Sequence, residues 1–174
     1  MDNTALFNIS YGLYVIQTTV GEKNNGCIIN TCNQIANSPT RIAVSLINEN
    51  YTTKLLKESS IFKLSILDKT VTYDFIKLFG LKSGRDIDKF RYACSSIDEN
   101  GIRYTDCHAC SVLTCKVLQS YDLGSHTLFI CEVTDAVRTS KNANRCCGSH
   151  FLSFNLQPDR DSVPARGNGR FIAA

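Results

Sequence analysis

The chain has 174 residues, 43% of them apolar and 20% charged, a size and balance that fit one compact domain and exclude a disordered chain or a mini-protein. Its 19 Lys and Arg stand against 16 Asp and Glu, a net +3 spread evenly along the sequence, so no basic arm or patch marks a nucleic-acid footprint. No apolar run approaches the roughly 18 residues of a membrane helix, and the opening MDNTALFNIS lacks the features of a signal peptide, so a cytoplasmic protein without a membrane partner is expected.

Strand signals dominate. Residues 11–20 (YGLYVIQTTV) and 26–36 (GCIINTCNQIA) read as a hairpin parted by the polar turn Gly21-Glu22-Lys23-Asn24-Asn25. Residues 41–47 (RIAVSLI) form a third strand, entered through Ser38-Pro39. The period then changes: in residues 50–59, Leu55 and Leu56 face one way while Lys54, Lys57 and Glu58 are solvated, which predicts a short helix. Residues 61–67 return to strand, and 73–79 make a second short helix stopped by Gly80. Residues 81–92 are a charged loop leading into a turn of helix. A turn at Asn100-Gly101 precedes a strand at 110–119, which pairs across Asp122-Leu123-Gly124 with 127–138, and a last short strand is expected at 151–156. Six or seven strands with two short helices predict a mainly β, closed or nearly closed antiparallel barrel, since the helices are too few for βαβ units. Residues 1–156 form the domain of this reading, and the polar residues 157–174 a C-terminal tail.

Nine cysteines are the oddity of the composition. Only Cys107-His108-Ala109-Cys110 has the two-residue gap of a metal or redox knuckle; Cys146 and Cys147 are adjacent and Cys115 is isolated, so a second pair is missing. On a strand, period two puts Cys107 and Cys115 on one face and Cys110 on the other, so the three do not converge on one ion. The residues favour small buried hydrophobes and no metal site, with a metal centre or a functional disulfide or redox thiol as the alternatives.

Neither a Rossmann glycine fingerprint nor a P-loop is present, and no Ser/His/Asp context is recognisable. Polar density at strand ends stands out instead. Residues 26–39 interleave Ile28, Ile29 and Ile35 with Asn30, Thr31, Asn33 and Gln34, neutral groups that suit a flat polar ligand edge. Asn48-Glu49-Asn50-Tyr51-Thr52-Thr53 sits where a strand turns into a helix: its donors fit a phosphate, or Asn50 or Thr52 caps the helix. His126, in the turn from Asp122 to Thr127, either touches a ligand at the barrel mouth or bonds hairpin backbone.

In order along the chain, NGCIINTCNQIANSP, IAVSLINENYTTKLLKESSIFKLSIL, FGLKSGRDIDKF and GSHTLFICEV resemble the flavin reductase-like proteins of the FMN-binding split barrel, in particular flavoredoxins and the flavin reductase domain joined to rubredoxin in anaerobes. The likeness covers about residues 5–137, and its most specific pieces are the Asn50-Tyr51-Thr52 turn, the loop from Phe79-Gly80 to Phe90 and the Gly-x-His turn. The resemblance implies a homodimeric six-stranded Greek-key split barrel with two or three short helices and one FMN per subunit, reduced by NADH or NADPH. It implies that Asn25, Asn30, Thr31, Cys32 and Gln34 line the flavin ring, that Asn48, Asn50, Thr52 and Thr53 hold ribityl and phosphate, and that Lys82, Ser83, Arg85 and Lys89 add positive charge and polar contacts nearby. His126 takes the catalytic contact with flavin and nicotinamide. The activity implied is an NAD(P)H:flavin oxidoreductase passing electrons to free flavin, a rubredoxin-like protein or another small acceptor; a non-enzymatic FMN carrier or sensor and a cysteine-based metal or redox protein are the alternatives. The stretch from Asn144 to Phe151 departs from the aromatic last strand of the family, so nothing is carried over there.

Overall fold

The computed structural model describes residues 2–139; the predicted strand at 151–156, the tail, and Cys146, Cys147 and His150 lie outside the described residues. A 3-10 helix, Asn3–Asn8, leads into β1 (Tyr14–Val20), β2 (Lys23–Ile29), β3 (Cys32–Asn37) and β4 (Thr40–Ile47). Then come α1 (Tyr51–Ser59), β5 (Ile61–Leu67), α2 (Tyr73–Gly80) and a 3-10 turn at Lys89–Arg91. The short pair β6 (Ser96–Ile97) and β7 (Arg103–Tyr104) precedes the long β8 (Ala109–Asp122) and β9 (His126–Arg138). The main sheet is antiparallel and seven-stranded, in the order β2-β1-β5-β8-β9-β4-β3.

The mainly β, antiparallel architecture with two helices is the expected one. Two boundaries differ. The stretch 26–36 is not one strand: it breaks at Asn30-Thr31 into β2 and β3, which occupy the two edges of the sheet and split the barrel. Lys23, Asn24 and Asn25, expected as turn, belong to β2, and the turn shrinks to Gly21-Glu22 between the paired Val20 and Lys23. Asn-rich composition reads as turn, but here the Thr19 hydroxyl donates to Asn24 Oδ1 at 2.8 Å and Asn25 is drawn inward, so the ladder continues.

Burial explains the strand patterns. β1 alternates between two cores: Tyr14 and Ile16 enter the barrel interior with Ile29, Val44, Leu46, Phe62, Leu64 and Phe129, while Val15, with Leu13 just before the strand, packs in the cluster under α2. Covered on both sides, β1 and β2 are each buried over five consecutive residues without alternation, whereas β4, covered on one, buries Ile42, Val44 and Leu46 in strict period two. α2 is capped by the Thr72 hydroxyl, which accepts from the Phe75 amide, and lays Phe75, Ile76 and Phe79 on the outer core. α1 buries Leu55 and Leu56 and stops at Ser60 in the left-handed region. Cys27, Cys115 and Cys131 are buried core residues, as expected of small hydrophobes.

Candidate functional site

The turn from β4 into α1 brings two fully buried threonines to a helix start. The Thr53 hydroxyl donates to the Ile47 carbonyl at 2.7 Å and fixes the turn. Asn50, at the N-cap, makes no side-chain capping bond, and Thr52 bonds Asn25, whose Nδ2 donates to the Thr52 hydroxyl at 2.9 Å. The capping reading of Asn50 and Thr52 is therefore not what their side chains do, and the first turn of α1 keeps its positive end without a side-chain anion.

Asn25 is 2% exposed, and its Oδ1 has no hydrogen-bond partner. An orphaned buried carbonyl costs about 1–3 kcal/mol unless something supplies a donor. Behind it lies Gly84, where a Cβ would fall 2.1 Å from Asn25 Oδ1: only a glycine lets the loop approach this closely. Ser83 Oγ accepts from the Arg85 amide at 3.1 Å and shapes the loop, and the Arg85 guanidinium lies 5.1 Å from the centre of the Tyr51 ring, over the first residue of α1. β2, the start of α1 and the loop 81–92 thus converge on one polar cradle.

Lys89 sits below it, 3% exposed, donating to the carbonyls of Gly26 at 2.7 Å and Phe79 at 3.2 Å. Burial lowers its pKa to about 8, with the neighbouring Cys27 thiol as a weaker opposing influence. Cys27 is buried beside the Thr52 hydroxyl; burial pushes its thiol up to about 11 against the pull of that hydroxyl and of Lys89. The ammonium expected near the phosphate or the nicotinamide nucleotide is thus directed into the interior, where it ties β2 to the end of α2.

The other expected residues fall into two further groups. Asn48 locks the β8–β9 turn: its Nδ2 donates to Asp122 Oδ1 at 3.0 Å and the Gly124 carbonyl at 2.8 Å, and its Oδ1 accepts from the Thr127 hydroxyl at 2.5 Å. With both ends of its amide engaged, Asn48 builds the hairpin. His126, half-buried, opens β9 opposite Ile47, with Nδ1 2.8 Å from Ser125 Oγ. Asn30 and Thr31 form the corner between the sheet edges, the Thr31 hydroxyl donating to Asn30 Oδ1 at 3.0 Å; Cys32 follows half-buried, and Gln34 is exposed, its amide turned to the Ala36 carbonyl. Lys82 is exposed.

Sequence reasoning missed the Arg85–Tyr51 stacking, the inward course of Lys89 and the close approach of Gly84; the small residue in Ser83-Gly84-Arg85 was the one available signal. It also missed the pairing of Cys94 with Cys107, which depends on the β6–β7 hairpin folding back.

The cradle fits a phosphorylated flavin by its chemistry: a buried acceptor awaiting a hydroxyl donor, a helix start and a guanidinium for a phosphate, and neutral amides at the β2–β3 corner for a polar ring edge. Among curated proteins, the chain is 38% identical over 136 residues to the high molecular weight rubredoxin of Moorella thermoacetica, covering 78% of this chain and 59% of that protein. It is 36% identical, over 78% of its length and 80% of the relative's, to the ferric-chelate reductase (NAD(P)H) of Archaeoglobus fulgidus. The chain therefore spans less than two thirds of the first of these relatives. The fold superposes with a TM-score of 0.74 and 19% identity on the NADH:FAD oxidoreductase SgcE6 of Streptomyces globisporus C-1027, covering 82% of this chain and 84% of that one. The model of the flavin reductase like domain matches residues 6–155, so the chain belongs to the flavin reductase-like family.

Proposed function

We propose that this chain is an NAD(P)H-dependent flavin oxidoreductase that binds FMN as a homodimer and passes electrons to free flavin, a rubredoxin-like protein or another small acceptor. The observation that carries the reading is the buried, partnerless Oδ1 of Asn25 between Thr52 and Gly84. Bound FMN supplies the hydride-accepting and electron-transfer chemistry. The chain's own part is to bind and orient. Asn25 Oδ1 accepts a ribityl hydroxyl, and the start of α1 together with Arg85 holds the phosphate. The neutral edge from Asn30 through Thr31 and Cys32 to Gln34 faces the ring, and His126, at the Ile47 end of β4, orients the nicotinamide. No acid–base dyad is required, because the proton and electron chemistry resides in the cofactor. Exposed Ile35, Leu118 and Tyr121 on β3 and β8 give a second subunit an apolar surface.

The test is a flavin titration of the purified chain with FMN, FAD and riboflavin, followed by NADH and NADPH oxidation assays. FMN should bind most tightly, and Arg85→Ala, which removes the guanidinium over the start of α1, should weaken FMN about tenfold, roughly 1.4 kcal/mol, with a smaller effect on riboflavin. Equal losses for FMN and riboflavin would overturn the phosphate assignment. A chain that binds no flavin and oxidises neither nicotinamide would overturn the function.

A further inference from the structure

Outside the flavin cradle the structure joins Cys94 to Cys107 as a disulfide, closing a 13-residue separation with Cα atoms 6.3 Å apart. Cys94 is exposed and Cys107 half-buried against the α2 cluster. Both line a cavity of about 670 Å³ whose wall also carries Lys77, Lys82, Asp74 and His108. This cavity shares only Lys82 with the residues assigned to flavin.

The segment between the two cysteines is anchored without the bond. Asp98 pairs with Lys63 at 2.9 Å, the Thr105 amide donates to Gln17 Oε1 at 2.6 Å, and Ser65 Oγ donates to the Thr105 carbonyl at 2.6 Å. Ile102 and Thr105 are buried. Cys27, Cys110, Cys115 and Cys131 are free thiols, three of them in the core. Among the described residues the one disulfide is thus the one that solvent reaches, and exposed disulfides are the labile, regulatory or catalytic kind.

We propose that Cys94–Cys107 is a thiol–disulfide exchange site whose co-reactant is a low-molecular-weight thiol bearing carboxylates, received in the cavity beside α2. Lys77 and Lys82 outnumber Asp74 on the cavity wall and attract an anionic thiol. Its thiolate attacks Sγ of Cys94, the exposed residue of the pair: a new sulfur–sulfur bond forms there, the Cys94–Cys107 bond breaks, and its electron pair leaves on Cys107 Sγ. A second thiolate attacks the small molecule's sulfur in the mixed disulfide and releases Cys94. Solvent protonates both cysteines. Overall, two small thiols are oxidised to their disulfide and the protein disulfide is reduced to a dithiol; the reverse sequence uses the small disulfide as oxidant.

The test equilibrates the intact chain anaerobically with graded ratios of reduced and oxidised glutathione, followed by alkylation and peptide mapping. The linked 94–107 peptide should vanish and return reversibly while Cys27, Cys115 and Cys131 stay unmodified. Cys107→Ser should trap one glutathione on Cys94. Lys77→Ala in that background should slow trapping by glutathione disulfide several-fold at low salt, without slowing trapping by the neutral 2-hydroxyethyl disulfide. Cys94→Ser should fold with a native near-ultraviolet spectrum. A native-state disulfide that yields only when the protein unfolds would overturn the proposal. So would stoichiometric zinc on the reduced protein, held by Cys94, Cys107 and Asp106, whose ligand atoms lie within 4.8 Å of one another. Equal slowing of both probes would overturn the anionic co-reactant.

Discussion

Lys63 on β5 and Lys89 in the loop 81–92 are both buried, at 8% and 3% exposure, yet their surroundings neutralise them differently. Lys63 has a complete set of internal partners: Asp98 at 2.9 Å, the Thr114 hydroxyl at 2.7 Å, and the Tyr104 ring 5.2 Å away. Lys89 bonds two carbonyls, and among the described residues no carboxylate pairs with it. One residue from its partner Gly26 sits Asn25, with an acceptor that lacks a donor. The Lys63 region closes its own polar balance and holds the β6–β7 hairpin to the sheet. The Lys89 region leaves a cation and an acceptor uncompensated, the arrangement expected where a polar ligand completes a site.

Removing one side of the closed pair should give the largest effect. Asp98→Ala leaves Lys63 buried without its counter-charge and should cost about 3–5 kcal/mol, read by urea denaturation. Burial opposes ionisation of Asp98, but the Lys63 and Ile102 hydrogen bonds outweigh it and hold the carboxyl below its usual value. That stabilisation is present above the unfolded pKa and should be lost as pH falls through the folded one, an acid loss that Asp98→Ala should not show.

Lys89 should respond at the opposite end of the pH scale. Its folded pKa of about 8 lies below the ordinary lysine value of 10.5, so between those values the unfolded chain binds the extra proton and stability rises with pH. Measured against Lys89→Met, which removes the titration, the wild type should gain about 3 kcal/mol across that window. The raised Cys27 thiol pulls the other way at high pH, and the difference between the two proteins cancels it. A flat difference would show that the ammonium is better compensated than its partners indicate.

Gly84→Ala should push the loop off Asn25, costing about 1–2 kcal/mol in stability and about tenfold or more in flavin affinity; isothermal titration would read the second. Asn50→Ala should be the smallest change, within about 0.5 kcal/mol rather than the usual 1 for a cap residue, because its side chain makes no capping bond.

The positions of α1 and α2, the β8–β9 hairpin and the Asn100-Gly101 turn were legible in the sequence because period and turn chemistry are local. So was the gathering of polar residues before α1. Which of them would face one another was not. Thr52 reaches Asn25 across 27 residues, and Arg85 stacks on Tyr51 from another loop. The role of Asn48 is set by a hairpin 74 to 79 residues further on.

By itself the sequence determined a mainly β domain with two short helices, its family likeness and a small core role for Cys27, Cys115 and Cys131, since burial preference and periodicity act within a few residues of the chain. Tertiary structure alone decided that residues 26–36 divide between two sheet edges, that Lys89 turns inward, and that Cys94 meets Cys107 at a cavity. Each of these depends on a register or a hairpin that brings distant residues within bonding distance, and no local pattern encodes that distance.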